Sequence, residues 1–149
     1  MKKILIVEDN QKKLEKLKTF FSREFEEWEI FEKMSYNSAT KEIVLNHLKY
    51  DLILLDMSMQ TYEISDDESG GEPEPLAGKN ILKQIYLRNI PTKVIVVTMY
   101  ENFVDGTRIK QLNDELTEEF SDNYCGYIFF SHTNLDWSIK LKELIKKII

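Results

Sequence analysis

Cysteine is almost missing from this chain. Cys125 stands alone among 149 residues, so no intrachain disulfide can form and a disulfide-stapled scaffold is excluded. A single thiol suits a reducing cytoplasm, where we expect the protein to reside. Long apolar runs are lacking too: none approaches the roughly 20 residues needed to cross a bilayer. The start, Met1-Lys2-Lys3-Ile4-Leu5-Ile6-Val7, is basic and then apolar like a secretion signal. Glu8 and Asp9 end that run after four residues, short of the roughly 7–15 that a signal core needs. No basic stripe is present and the net charge is −6, which argues against direct nucleic-acid binding.

The acidic excess is local. Residues 60 to 78 hold Glu63, Asp66, Asp67, Glu68, Glu72 and Glu74 with no Lys or Arg, and without those six acids the remainder is neutral. Gly70, Gly71, Pro73 and Pro75 stand in the same stretch, where neither a helix nor a central strand tolerates them well. We read residues 60–78 as a long, mobile, acidic insertion loop inside one domain spanning 1–149. Apolar residues at 42% and charged residues at 31% are a globular balance, and the length suits one core. No internal repeat is evident, and we expect no separate output domain.

Elsewhere two rhythms alternate. Ile4–Val7, Leu52–Leu55, Val94–Val97 and Tyr127–Phe130 are short continuous apolar runs, the pattern of strands buried on both faces. Trp28 to Met34 alternates and predicts a shorter or edge strand. Between these lie helical spacings: Leu14, Leu17, Phe20, Phe21 and Phe25 behind an Asn10 cap, then Ile43, Val44 and Leu48 behind Ser38 or Thr40. Ile81, Leu82, Ile85 and Tyr86, then Ile109, Leu112, Leu116 and Phe120, and finally Trp137, Leu141, Leu144, Ile145 and Ile148 continue the series. The order βαβαβαβαβα predicts a parallel sheet covered on both faces, with ligands at the carboxyl ends of its strands.

Three strands end in polar groups: Glu8 and Asp9, Asp56, and Thr98. In a parallel sheet these ends share one edge. Any one acid there could simply end its strand in solvent, but crowded carboxylates repel one another and a hard divalent cation relieves the cost.

These residues resemble response-regulator receiver domains, of the stand-alone chemotaxis type. Lys3-Ile4-Leu5-Ile6-Val7-Glu8-Asp9-Asn10 is similar to the receiver's first strand and acidic pair. Asp51-Leu52-Ile53-Leu54-Leu55-Asp56-Met57-Ser58-Met59 is similar to its third strand and phosphoacceptor. Val94–Thr98 and Gly126-Tyr127-Ile128 resemble the fourth strand with its hydroxyl residue and the fifth with its switch aromatic. The resemblance implies a flavodoxin-like doubly wound sheet of five parallel strands, order 2-1-3-4-5. It implies that Asp56 accepts a phosphoryl group from a phosphohistidine on a sensor histidine kinase or phosphotransfer protein. Asp9, Asp56 and the Ser58 backbone carbonyl would ligate Mg2+, with Glu8 acting mainly through water. Thr98 would bind a phosphoryl oxygen and Tyr127 would respond by changing rotamer.

The pattern breaks at Phe130. Receivers carry a lysine there that holds a phosphoryl oxygen, and no Lys or Arg lies between Lys110 and Lys140 to replace it. His132, when protonated, is the nearby candidate for a substitute cation. The acidic insertion and a further one of roughly ten residues between Thr98 and Tyr127 exceed ordinary loop lengths and bear on partner choice.

The leading expectation is a phosphoacceptor in a two-component phosphorelay, a messenger or a phosphate buffer rather than an enzyme, acting through contact with a downstream protein. A homodimer is compatible with this reading, and a membrane is not a partner. The alternative is a pseudo-receiver that binds proteins without phosphorylation, which Phe130 and the insertions favour. A third reading, a Mg2+-dependent phosphohydrolase, ranks lower: haloacid-dehalogenase-like enzymes place an Asp two residues past the nucleophile, where this chain has Ser58.

Overall fold

The computed structural model describes residues 1–62, 73–74, 76–102 and 106–149. Five parallel strands form its sheet: β1 (Lys3–Val7), β2 (Glu29–Lys33), β3 (Leu52–Leu55), β4 (Lys93–Thr98) and β5 (Tyr124–Phe129), in the order β2-β1-β3-β4-β5. Helices α1 (Gln11–Glu24), α2 (Tyr36–Asn46), α3 (Ala77–Leu87), α4 (Ile109–Glu119) and α5 (Asp136–Ile148) connect or follow them. The strand and helix rhythm predicts this parallel sheet with helices on both faces, and the strand order is the flavodoxin-like one that the receiver resemblance implies.

Period-two alternation sorts the strands' side chains between two cores. Ile4, Ile6, Leu52, Leu54, Ile95 and Val97 join Leu14, Leu17, Phe20 and Phe21 of α1 and Trp137, Leu141 and Ile145 of α5. Leu5, Val7, Ile53, Leu55, Val94 and Val96 face the other way, onto α2, α3 and α4. At about 25 cal/mol per Å² of apolar area, a sheet buried on both faces is the main favourable term in this fold.

Helix starts follow side-chain capping. Asn10 accepts from the Lys13 N–H and opens α1, as its position before the apolar stripe suggests. The second helix begins earlier than expected: Ser35, not Ser38 or Thr40, accepts from the Ser38 N–H, and Ser38 already sits in the first turn.

The fifth strand also starts earlier, at Tyr124, and runs through Gly126. Val94 to Val96 on β4 pairs with Tyr124 to Tyr127 on β5, so β5 carries one extra residue, a bulge. Gly126 sits there at φ +131°, which only glycine adopts cheaply. The added residue lets Tyr124 and Tyr127 share the α4 face, while Ile128 and Phe130 point to the α1–α5 face.

The 60–78 stretch is not all loop. The backbones of Met59–Gln60 and Pro73–Glu74 form a short antiparallel ladder, and Ala77 and Gly78 already belong to α3. Glu63, Asp66, Asp67, Glu68 and Glu72 lie outside the described residues, so the expected mobility of this segment falls there too.

Candidate functional site

The carboxyl edge of the sheet carries the acids. β1 delivers Glu8 and Asp9, and β3 delivers Asp56, whose N–H donates to the Val7 carbonyl across the strand ends (3.0 Å). One carboxylate oxygen from each of Glu8, Asp9 and Asp56 lies within 4.8 Å of the others. Glu8 is 1% and Asp56 5% exposed; Asp9 is half-buried. They line a recess of about 260 Å³ together with Asn10, Lys13, Ser58, Met59, Met99 and Tyr100. Ser58, expected as a ligand through its carbonyl, thus faces the same space.

Two expected groups stand elsewhere around it. Thr98 is fully buried at the end of β4, and its hydroxyl accepts from the Tyr100 N–H at 3.2 Å. Tyr127 is half-buried over the α4 core and lines a separate groove with Glu101, Arg108, Ile109 and Phe129.

The backbone around Asp56 is held closely. Its Oδ1 accepts from the Met57 N–H at 2.7 Å, and the Gly78 N–H donates to the Met57 carbonyl at 2.9 Å. A Cβ on Gly78 would lie 2.6 Å from the Asp56 carbonyl oxygen, so glycine alone lets α3 start this close.

The residue that the sequence reading missed is Lys13. Its ammonium lies 2.6 Å from Glu8 Oε1, 2.6 Å from the Val97 carbonyl oxygen and 3.4 Å from Asp56 Oδ1, with the side chain only 1% exposed. Lysine is almost never fully buried without partners of this kind. The signal was available: Lys13, Leu17, Phe20 and Phe21 fall on one helical stripe, so a charge sits where α1 should be apolar.

Charge balance in the cluster is uneven. Burial works against the Lys13 ammonium, but Asp56 and Glu8 outweigh it and hold the group above the ordinary lysine range. Burial, and next the charge of Asp56, push the Glu8 carboxyl up to about 8. Both Glu8 oxygens accept, Oε1 from Lys13 and Oε2 from the Asn10 N–H at 3.1 Å, and these contacts oppose the rise by favouring the ionised form that a bound cation also requires. One ammonium cannot neutralise two buried carboxylates with Asp9 beside them. Three oxygen donors with surplus negative charge suit a small hard cation such as Mg2+.

Phe130 does not line the recess. It is 1% exposed and packs in the α1–α5 core with its ring 4.7 Å from Trp137. His132 is exposed, its ring edge-on to Phe130 at 5.0 Å; slight burial and then Lys16, Lys12 and Lys13 hold its pKa below the usual value. The site's cation is Lys13, not the histidine.

No family model matches the chain. A Detocs response regulatory protein, DtcB, of Enterobacter cloacae (strain JD6301) is 31% identical over 98% of this chain and 97% of its own length. An uncharacterized protein, y4jR, of Sinorhizobium fredii (strain NBRC 101917 / NGR234) is 32% identical over 95% of both. Among solved structures, response regulator protein TrrA of Thermotoga maritima, in complex with Mg2+-BeF, aligns over all of both chains with a TM-score of 0.62 and 24% identity. The CheX-CheY-BeF3-Mg complex of Borrelia burgdorferi aligns over 99% of this chain and 90% of that one, with a TM-score of 0.69 and 16% identity. With receiver topology, three acids gathered at the strand ends and a full-length relative of this kind, the chain belongs to the response-regulator receiver family.

Proposed function

We propose that this receiver accepts a phosphoryl group on Asp56 in a two-component phosphorelay, with Mg2+ held by Asp9, Asp56 and the Ser58 carbonyl, and Glu8 acting mainly through water. The observation that carries this reading is the convergence of Glu8, Asp9 and Asp56 within 4.8 Å. The donor would be a phosphohistidine on a sensor kinase or phosphotransfer protein. An Asp56 carboxylate oxygen attacks phosphorus, the new P–O bond forms as the P–N bond breaks, and the electron pair leaves on the imidazole nitrogen. Bound Mg2+ supplies neutralisation of charge on the transferring group. Output then passes by contact with a downstream protein, as a messenger or as a buffer that draws phosphate from a kinase. Thr98 and Tyr127 are the groups assigned to phosphoryl binding and response. Incubation with a small phosphodonor and Mg2+ adds one phosphate by intact mass, and Asp56→Asn abolishes it. Failure with several donors and kinases overturns the proposal.

A second reading, a protein-binding pseudo-receiver, draws on the burial of Phe130 in the hydrophobic core, where receivers carry a charged residue. If Asp56→Asn leaves partner affinity and biological output unchanged, this second reading replaces the first.

A further inference from the structure

We propose that Lys13 is the phosphoryl-binding cation of this protein, reaching from the first turn of α1 to within 3.4 Å of Asp56 Oδ1 beside a fifth-strand position occupied by Phe130. The inference deepens the phosphoacceptor reading and rests on it.

Three observations carry it. First, Lys13 is aimed. Its N–H donates to Asn10 Oδ1 at 2.9 Å, which fixes the residue at the start of α1, and its side chain then runs inward until the ammonium meets Glu8, Asp56 and the Val97 carbonyl. Second, its surroundings are complementary. The Phe130 ring lies 5.8 Å from the Lys13 ammonium and is itself fixed against Trp137, so the side chain at that position brings no second ammonium to compete with the first. Third, the charge fits. A phosphoryl group joined to Asp56 as an acyl phosphate brings anionic oxygens to that side chain, within the reach of an ammonium 3.4 Å from its Oδ1, and a buried charge-assisted contact of this kind is strong.

The arrangement gives Lys13 two opposed effects. Before any metal binds, it is the counter-cation of Glu8 and Asp56, so a divalent cation must compete with it. Once an anion sits on Asp56, the same ammonium attracts that anion. A purely structural lysine would show the first effect without the second.

Lys13→Gln tests this, since the amide still donates hydrogen bonds but carries no charge. Mg2+ affinity alone is read by calorimetry. Affinity for beryllofluoride in saturating Mg2+, a tetrahedral phosphoryl mimic, is read by Trp fluorescence, with Trp137 as the nearby reporter. Loss of the ammonium should tighten Mg2+ alone several-fold and weaken the mimic about tenfold or more. Adding Phe130→Lys to Lys13→Gln should restore much of the mimic's affinity. If Lys13→Gln does not fold, the double variant, which returns a charge to the cluster, is compared with Lys13→Met and wild type by the same two titrations. Unchanged mimic affinity in Lys13→Gln, with wild type binding it, overturns this inference and leaves the phosphoacceptor reading intact. Weakening of both ligands makes Lys13 merely structural and also overturns it. A wild type that takes neither the mimic nor phosphate removes both proposals together.

Discussion

Gly78, in the first turn of α3, lies directly against the backbone of Asp56: its N–H donates to the Met57 carbonyl at 2.9 Å, and a Cβ on it would meet the Asp56 carbonyl oxygen at 2.6 Å. The contact ties the first turn of a helix to the position of the proposed phosphoacceptor. Gly78→Ala should therefore push α3 and the Asp56–Met57 backbone apart. Overpacking of this kind costs about 1–3 kcal/mol. Urea denaturation should show that loss, and Mg2+ affinity should fall with it because Asp56 moves relative to Asp9.

Asp56→Asn should act in the opposite sense on the metal-free protein. Glu8 and Asp56 share one ammonium, and removing one carboxylate leaves a balanced pair of Lys13 and Glu8. In EDTA the variant should melt at a higher temperature than wild type, by an amount equivalent to about 1 kcal/mol. Adding Mg2+ should raise the wild-type melting temperature and leave the variant nearly unmoved. A variant that melts lower in EDTA would contradict the charge balance drawn for the site.

Tyr50 and Glu42 provide a pH-dependent contact remote from the pocket. The Tyr50 hydroxyl donates to Glu42 Oε1 at 2.6 Å, with Asn46 donating to Oε2 at 3.2 Å. The Tyr50 bond, and to a lesser degree Asn46, holds the Glu42 carboxyl below its ordinary value; burial and then the Glu42 bond push the Tyr50 phenol up. A lowered carboxylate contributes above its unfolded pKa and is lost as pH falls through the folded value. A raised phenol contributes below its unfolded pKa and is lost as pH rises above it. Tyr50→Phe should thus cost about 1 kcal/mol at pH 7. The difference from wild type should shrink below about pH 4 and above about pH 10 in denaturant titrations.

Phe130→Ala should open a cavity between α1, β5 and α5, since the ring is 1% exposed and packed at a tilt against Trp137. A loss of about 3–5 kcal/mol is expected. The near-ultraviolet circular dichroism of Trp137 should change with it.

Most of the fold was legible because its signals are local and repeat. Ile4–Val7, Leu52–Leu55 and Val94–Val97 are apolar on both faces, which marks central parallel strands, and the stripes of α1, α3, α4 and α5 are continuous. The acids at the strand ends followed from that alone. Three features were not readable, for different reasons. Ser35, Ser38 and Thr40 are all competent caps, and only the path of the chain out of β2 selects the first. Gly126 precedes the apolar run Tyr127–Phe130 read as the fifth strand, whereas its positive φ serves a bulge inside that strand. Lys13 was visible as a misplaced charge, but which strand end it meets depends on how α1 lies across the sheet. Sequence spacing does not encode that distance; eighty-four residues separate Lys13 from the carbonyl that it touches.

The ladder between Met59–Gln60 and Pro73–Glu74 closes the chain on itself beside the recess that Met59 lines. A two-rung stem brings the chain back to where it left, and the Asn37 N–H grips the Thr61 carbonyl at 2.9 Å just beyond the stem. Because closure entropy grows only slowly with length, this hairpin neck is a natural graft point. A reporter peptide or fluorescent module spliced between Thr61 and Glu72 should be carried by the protein without disturbing the residues that face the recess.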